Sequence, residues 1–247
     1  MIQLILAICL LVSGCITTGT GNLLPVPNSV IKVLSINLCA SYMTSRQSRA
    51  DKIISFCKAE KVDIILAQEG TTGLLQFNTI KYIAEQLGYS YAQVPAFGVP
   101  LFYGFNVGVI SAYPISNSRA VGCQINGGDP IDKVPFPGSA RGLLVSSGDI
   151  NIMSSHLTIP VEQAEKEKQV KCLMDSLPSG VTIWGGDFNF NRADPAYPLI
   201  KLQEAVYSGP PMVDMVFCSG LCVLDSKLVF EDLQISDHCG VMVTLGR

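Results

Sequence analysis

The chain has 247 residues, enough for one sizeable domain or at most two small ones. Hydrophobic residues make up 48% and charged residues 15%, which excludes an intrinsically disordered chain and leaves ample material for a core. The formal net charge is −3 and there is no run of Lys or Arg, so a polyanionic substrate has to be held by a local patch or a metal, not by a global field.

Residues 1–14 form an apolar block too short to span a bilayer as a stable helix, and they read as a secretory signal although no Lys or Arg precedes them. Val12-Ser13-Gly14-Cys15 resembles the bacterial lipobox, so Cys15 is the expected lipidation site; the alternative is a buried N-terminal strand with an incidental cysteine. Residues 17–28, rich in Thr, Gly and Pro, read as a flexible tether. The expected organisation is a signal at 1–14, a lipidated cysteine and tether at 15–30, and one domain at 31–247. Export, with membrane attachment through the lipid or as a secreted protein, follows from it.

Within the domain, Ile31 to Ile36 is a β-branched apolar run ending in Asn37, and Arg49 to Glu60 carries a helical apolar face at 50, 53, 54 and 57. Val62 to Ala67 is a second core strand, followed by Gln68-Glu69-Gly70. A helix is expected over Leu74 to Leu87, closed by Gly88. Strands follow at Ser90–Val94, Asn106–Ser111 and Ser118–Gln124, then a surface loop over 124–138, a candidate for substrate contacts. Gly142–Ser147 and Ile150–Ser155 pair as a hairpin across Gly148-Asp149, ending in His156. Pro160 opens a helix to Leu177, whose Glu162/Lys166 and Glu167/Lys171 spacing gives it a solvated charged side.

Val181-Thr182-Ile183-Trp184 then runs into Gly185-Gly186-Asp187-Phe188-Asn189. If the backbone stays extended, Asp187 and Asn189 share one side, and the glycines leave room for a group such as a phosphate to approach. The plain alternative is a strand followed by a turn. A short helix and strands at 212–218, 222–230 and 239–245 complete the chain. Of nine cysteines, seven remain beyond the signal and Cys15, an odd number that does not suggest a complete disulfide framework. Cys218 and Cys222 flank a turn and are the candidate pair. A structural zinc site is not expected.

Strands alternating with helices indicate a mixed α/β (α+β) domain. Asn37, Gln68-Glu69, His156, Gly186-Asp187-Phe188-Asn189 and Ser236-Asp237-His238 each end an apolar segment, and Gly108 to Ile115 contains Tyr113-Pro114-Ile115. In this order and spacing the motifs resemble the endonuclease/exonuclease/phosphatase superfamily, the deoxyribonuclease I-like metal-dependent phosphoesterases, from about Ile31 to Leu245. The resemblance implies a four-layer sandwich: two mixed β-sheets packed face to face with helices outside.

Both histidines of the chain lie in these motifs, and an imidazole can take or give a proton near neutral pH. Glu69 is a hard oxygen donor suited to Mg²⁺ (or Mn²⁺), which takes one or two carboxylates and keeps several waters. The resemblance assigns Glu69 as main ligand with Asn37 and Asp237 beside it. Asp214, alone in an apolar strand, needs a partner; the resemblance supplies His238, the two together handling the attacking water. By the same resemblance Asp187 and Asn189 position the nucleophile or the phosphate, and His156 serves the phosphoryl oxygens. Arg141 is a candidate phosphate contact. The reading is a divalent-metal-dependent phosphodiesterase, a nuclease acting on nucleic acid first, with a sphingomyelinase-like or inositol-phosphate phosphoesterase second. A catalytically silent surface binding module would be marked by loss of motif residues, and none of the eight is lost. The sequence does not indicate an oligomeric state.

Overall fold

The computed structural model describes residues 16–21, 30–39, 45–72, 77–99, 103–123, 141–158, 162–209 and 213–247, without the side chains of 97–99 and 103. The signal, Cys15 and the 124–138 loop lie outside the described residues. In chain order the elements are β1 (Thr17–Gly19), β2 (Val30–Asn37), α1 (Arg46–Glu60), β3 (Ile64–Thr72), α2 (Thr79–Leu87), β4 (Ser90–Val99), β5 (Tyr103–Ser111) and β6 (Asn117–Val121). There follow β7 (Gly142–Ser147), β8 (Ile150–His156), α3 (Gln163–Ser176), β9 (Val181–Asp187), a single 3-10 turn at Tyr197–Leu199, β10 (Gln203–Tyr207), β11 (Asp214–Ser219), β12 (Cys222–Val229) and β13 (Gly240–Gly246).

Two mixed sheets result, ordered β1-β4-β5-β3-β2-β13-β12 and β10-β11-β9-β8-β7-β6. In each, one parallel pair sits near the middle, β2 with β3 and β8 with β9, joined through a helix, because parallel neighbours require a crossover connection. Strand alternation builds the layers. In β3, Ile64 and Leu66 face the other sheet, while Ile65 and Ala67 face the helices α1 and α2. In β9, Ile183 faces the first sheet and Trp184 faces the α3 side, where it packs with Phe188, Phe217, Val170 and Leu173. The core therefore has three apolar clusters, one between the sheets and one under the helices of each sheet. This is the expected four-layer sandwich. Among the described residues, no helix is long and apolar enough to cross a membrane.

Several local expectations need correction. Thr17–Gly19 does not lie in a free tether but pairs with the outer edge of β4, which satisfies that strand's open hydrogen-bonding side. Strand β10 had no recognisable pattern, since only Val206 of its five residues is fully buried. Lys166 is not on a solvated face: it is largely buried and pairs with Asp194 on the loop after β9. Cys218 and Cys222 do not pair. Residues on opposite sides of the turn leave Cys218 buried and Cys222 exposed, while the described disulfide joins Cys123 to Cys172, with Cα atoms 6.0 Å apart.

Candidate active site

The alternation that builds the core also carries polar groups into the gap between the sheets once the apolar residues run out. Counting from Val33 in β2, Ser35 and then Asn37 face the opposite sheet. From Ile152 in β8 the same step places Ser154 and His156 inward; from Ile183 in β9 it places Gly185 and Asp187; from Val216 in β11 it places Asp214. Register then sets these groups side by side, His156 opposite Asp187 and Asp187 opposite Asp214. Beneath them a polar floor begins: Gln68 Nε2 donates to Ser154 Oγ (3.1 Å), which donates to the Ala67 carbonyl (3.2 Å) across the two sheets.

Glu69 does not obey this parity. Following Ala67 and Gln68 it should point toward the helices, yet its Oε1 accepts from Asn37 Nδ2 at 3.0 Å. The β3–β5 ladder slips between Ala67 and Gly70, and Glu69 sits at φ 53°, so a bulge with left-handed backbone turns the carboxylate back inward. A non-glycine residue in that conformation costs on the order of 1 kcal/mol or more, which the surrounding structure must hold in place.

Asp187 is the hub. It is 2% exposed, and its Oδ2 lies 3.0 Å from Asn37 Nδ2, 3.4 Å from His156 Nε2 and 3.9 Å from His238 Nε2. Its Oδ1 accepts from the Asn189 N–H at 2.9 Å, closing a turn in which Asn189 takes φ 52°. The strand therefore ends at Asp187, and Asn189 does not continue it; its amide donates instead to the Leu157 carbonyl at 2.6 Å. The two glycines serve packing, not phosphate access. A Cβ at Gly185 would meet Leu66 of the facing sheet at 2.7 Å, and one at Gly186, φ 154°, would run into the Ser155 carbonyl.

His238 enters from the loop before β13, and its Nδ1 lies 2.7 Å from Asp214 Oδ2. Burial disfavours the imidazolium, but the hydrogen bond to Asp214 and the charges of Asp214, Asp187 and Asp237 outweigh it, so His238 stays protonated to higher pH than a free imidazole. Burial raises the Asp214 carboxyl as well, against the pull of His238. Asp214 is wholly buried, and among the described residues its Oδ1 has no hydrogen-bond partner.

A model of the Endonuclease/Exonuclease/phosphatase family matches residues 34–238, the span containing every one of these groups. The chain belongs to that family. Its fold is similar to an endonuclease/exonuclease/phosphatase family protein from Leptotrichia buccalis, at 18% identity and TM-score 0.66, covering 86% of this chain and 98% of that one. It is likewise similar to humanized D. rerio TDP2 (16% identity, TM-score 0.65, 88% and 99% covered) and to an AP endonuclease from Archaeoglobus fulgidus (14%, TM-score 0.61, 86% and 98%). No curated protein matches the sequence. Identities this low speak for the fold.

Members of this family are typically phosphoesterase hydrolases that use divalent metals. Glu69, Asp187, Asp214 and Asp237 bring four carboxylates to one end of the sandwich, and atoms of Asp187, Asp214 and His238 lie within 4.8 Å of one another. Glu69 Oε1 and Asp187 Oδ2, with His156 Nε2 between them, are hard oxygen donors of the kind that fit a divalent cation. Asn37 is placed differently from the expected ligand. Its Oδ1 accepts from the Cys39 N–H at 2.9 Å and its NH₂ faces Glu69 and Asp187, so it holds carboxylates in position. Asp237 is exposed and accepts from Ser236 Oγ at 3.3 Å. Arg141 is buried beside the site, and its carbonyl accepts the His156 N–H at 3.0 Å.

Residues not singled out from the sequence also shape the site. Ser155 Oγ accepts from Trp184 Nε1 at 2.8 Å on the far face of the strand that ends in His156. Ser236 Oγ accepts the His238 N–H at 3.2 Å. Arg49, the first residue of the stretch expected to be helical and given no role there, is 5% exposed and reaches the loops around the site. Its place before an apolar helical face carried no signal of that burial.

Proposed function

We propose that this chain hydrolyses phosphodiesters, with nucleic acid as the first substrate class, and that the acidic centre works with bound Mg²⁺ or Mn²⁺. The observation that carries this is Asp187 Oδ2, set among Asn37 and the Nε2 atoms of both histidines, with one of those histidines backed by a buried carboxylate. Glu69, with Asp237 nearby, would hold the cation, and Asn37 would fix the Glu69 carboxylate. The cation supplies Lewis-acid charge stabilisation to the phosphoryl group.

His238 Nε2 faces the centre while its Nδ1 is held by Asp214, so the ring is oriented to exchange a proton with the attacking water at Nε2. Asp187 orients that water or the phosphate, and Asn189 supports Asp187 through its main-chain N–H. His156, between Glu69 and Asp187, is placed to serve the phosphoryl oxygens or the leaving group. Arg141 acts through the carbonyl that holds the main chain of His156. Among structures of the same fold, one is D. rerio TDP2 complexed with single-strand DNA product and another is an AP endonuclease, which favours nucleic acid over a lipid or inositol phosphate. A panel of DNA, RNA, sphingomyelin and inositol phosphates, each with Mg²⁺ and with chelator, tests the reading. Turnover of none of them sinks it, and turnover of sphingomyelin alone moves the substrate class to phospholipid.

The same proposal places the mature protein outside the cytosol, attached through lipidated Cys15. The Cys123–Cys172 disulfide supports an oxidising compartment independently of the N-terminal sequence. Mass spectrometry of membrane fractions is expected to find a chain beginning at Cys15 with lipid mass; an unmodified chain beginning at Met1 would exclude the anchor.

A further inference from the structure

Strands β2 and β13 are antiparallel neighbours, and their ladder ends at the pair Ser35 and Val241. Past that pair, residues 37–39 leave β2 while residues 235–239 approach β13. These two loops carry Asn37 on one side and Asp237 and His238 on the other. The side chain of Arg49 joins them where the ladder no longer does. Nη1 donates to the Leu38 carbonyl at 2.8 Å and to the Ile235 carbonyl at 2.9 Å, and Nη2 donates to the Cys39 carbonyl at 3.1 Å.

Each contact lies one short step from the acidic centre. Cys39, at φ 41°, donates its N–H to Asn37 Oδ1, and Asn37 in turn donates to Glu69 and Asp187. Ile235 precedes Ser236, whose hydroxyl meets both the Asp237 carboxylate and the His238 N–H. Arg49 is buried and starts from the first turn of α1, whose Ala50, Ile53, Ile54 and Cys57 are locked against the first sheet. Its fork therefore has a fixed origin.

We propose that Arg49 is a positioning residue for the acidic centre, setting the separation between the Asn37 turn and the Ser236–His238 loop and with it the geometry in which a divalent cation is held. A lysine keeps the charge, but its one nitrogen ends a bond short of Nη1 and it has no second nitrogen to hold the Cys39 carbonyl beside the Asn37 turn. The inference concerns how the loops are held and adds to the proposed metal-dependent chemistry.

The test uses the full chain as wild type, Arg49→Lys and Arg49→Ala, each first confirmed folded by circular dichroism. Mn²⁺ affinity is read by electron paramagnetic resonance, and turnover with bis(p-nitrophenyl) phosphate as probe. Both variants should bind Mn²⁺ about 10-fold more weakly or worse, the scale on which groups orienting metal ligands act. Methylguanidinium should restore Arg49→Ala and leave Glu69→Gln unrestored, which a merely structural loss would not do. Wild-type Mn²⁺ affinity in folded Arg49→Lys overturns the proposal. Should the wild type itself bind no Mn²⁺, the metal reading fails separately, and crystal structures of wild type and Arg49→Lys decide the positioning role. Displaced loops at 37–39 and 235–238 uphold it, and unmoved loops overturn it. If Arg49→Ala does not fold, Arg49→Lys alone carries both outcomes.

Discussion

The site is built by two strand–helix–strand units that meet end to end, and they solve the same task differently. In β8-α3-β9 the ladder runs without a slip to its last pair, His156 and Asp187, and parity alone aims both inward. In β2-α1-β3 the corresponding last regular pair is Asn37 and Gln68, and Glu69 reaches the site only through a bulge. The carboxylates of the regular half and its neighbour β11 are dry, with Asp187 at 2% and Asp214 at 0% exposed, while the His156 ring reaches 22%. The Glu69 side chain is 21% exposed and Asp237 is exposed. Buried carboxylates locked in a ladder suit the orienting of the two imidazoles that exchange protons, where small displacements are costly. Carboxylates at a wetter, irregular edge suit a cation that keeps several waters.

On this division, the largest effect comes from removing the cation or the proton-handling groups. Chelator is expected to abolish turnover and added Mg²⁺ or Mn²⁺ to restore it; turnover that persists in chelator would remove the metal from the scheme. His156→Ala and His238→Ala should each lower turnover per folded molecule on the order of 10²-fold or more. The double variant should be little worse than the poorer single one, because groups acting as a unit are not additive. Asp214→Asn should match His238→Ala, since Asp214 acts through the ring it holds. Near wild-type turnover in the single histidine variants would show a structural role instead.

Stability should separate the two halves. Glu69→Gly and Glu69→Ala both lose the bond from Asn37, but only glycine relieves the left-handed backbone, so Glu69→Gly is expected to be more stable than Glu69→Ala by roughly 1 kcal/mol in the metal-free protein. Asp187→Ala leaves the Asn189 N–H and one of the two Asn37 Nδ2 hydrogens without their acceptor, and should destabilise by about 1–3 kcal/mol. Gly186→Ala, which pushes a Cβ into the Ser155 carbonyl, should cost about 2 kcal/mol or more. Denaturant midpoints measure all three. A Glu69→Gly no more stable than Glu69→Ala would mean that the left-handed backbone of the bulge stores no strain.

The regular half is also the half that the sequence displays. Alternation from Ile152 and Ile183 leads straight to His156 and Asp187, and the lone acid Asp214 in its apolar strand calls for a partner, which the family resemblance supplied as His238. Glu69 was legible as a motif residue, but its orientation was not, because a slip in the ladder depends on pairing with β5 and leaves no local pattern. For Asn189 the sequence left an extended run and a turn both open, and the structure takes the turn that closes on Asp187 Oδ1, built from residue types either would use. Arg49 was invisible because its three acceptors are main-chain carbonyls, one of them 186 residues away, and carbonyls carry no sequence identity. The two glycines were read as an opening, whereas contacts with Leu66 and Ser155 from other strands give them their purpose.

The smallest effect concerns the pH dependence of folding in the metal-free protein. His238 and Asp214 both have raised folded-state pKa values, so the native state binds more protons than the unfolded chain across the affected range. By linkage, stability then falls as pH rises. For His238 the contribution is fully present below the unfolded histidine value, about 6.5, and is lost as pH climbs through the raised folded value. Denaturant midpoints recorded in chelator between about pH 6 and 10 should therefore decline more steeply for the wild type than for Asp214→Asn, which removes the carboxylate that sustains the imidazolium. Lysines and tyrosines titrate in the same interval, but they do so in both proteins and cancel in the difference. Parallel curves for the two proteins would mean that Asp214 fixes the ring without holding its proton, and the regular half of the site would then owe its chemistry to geometry alone.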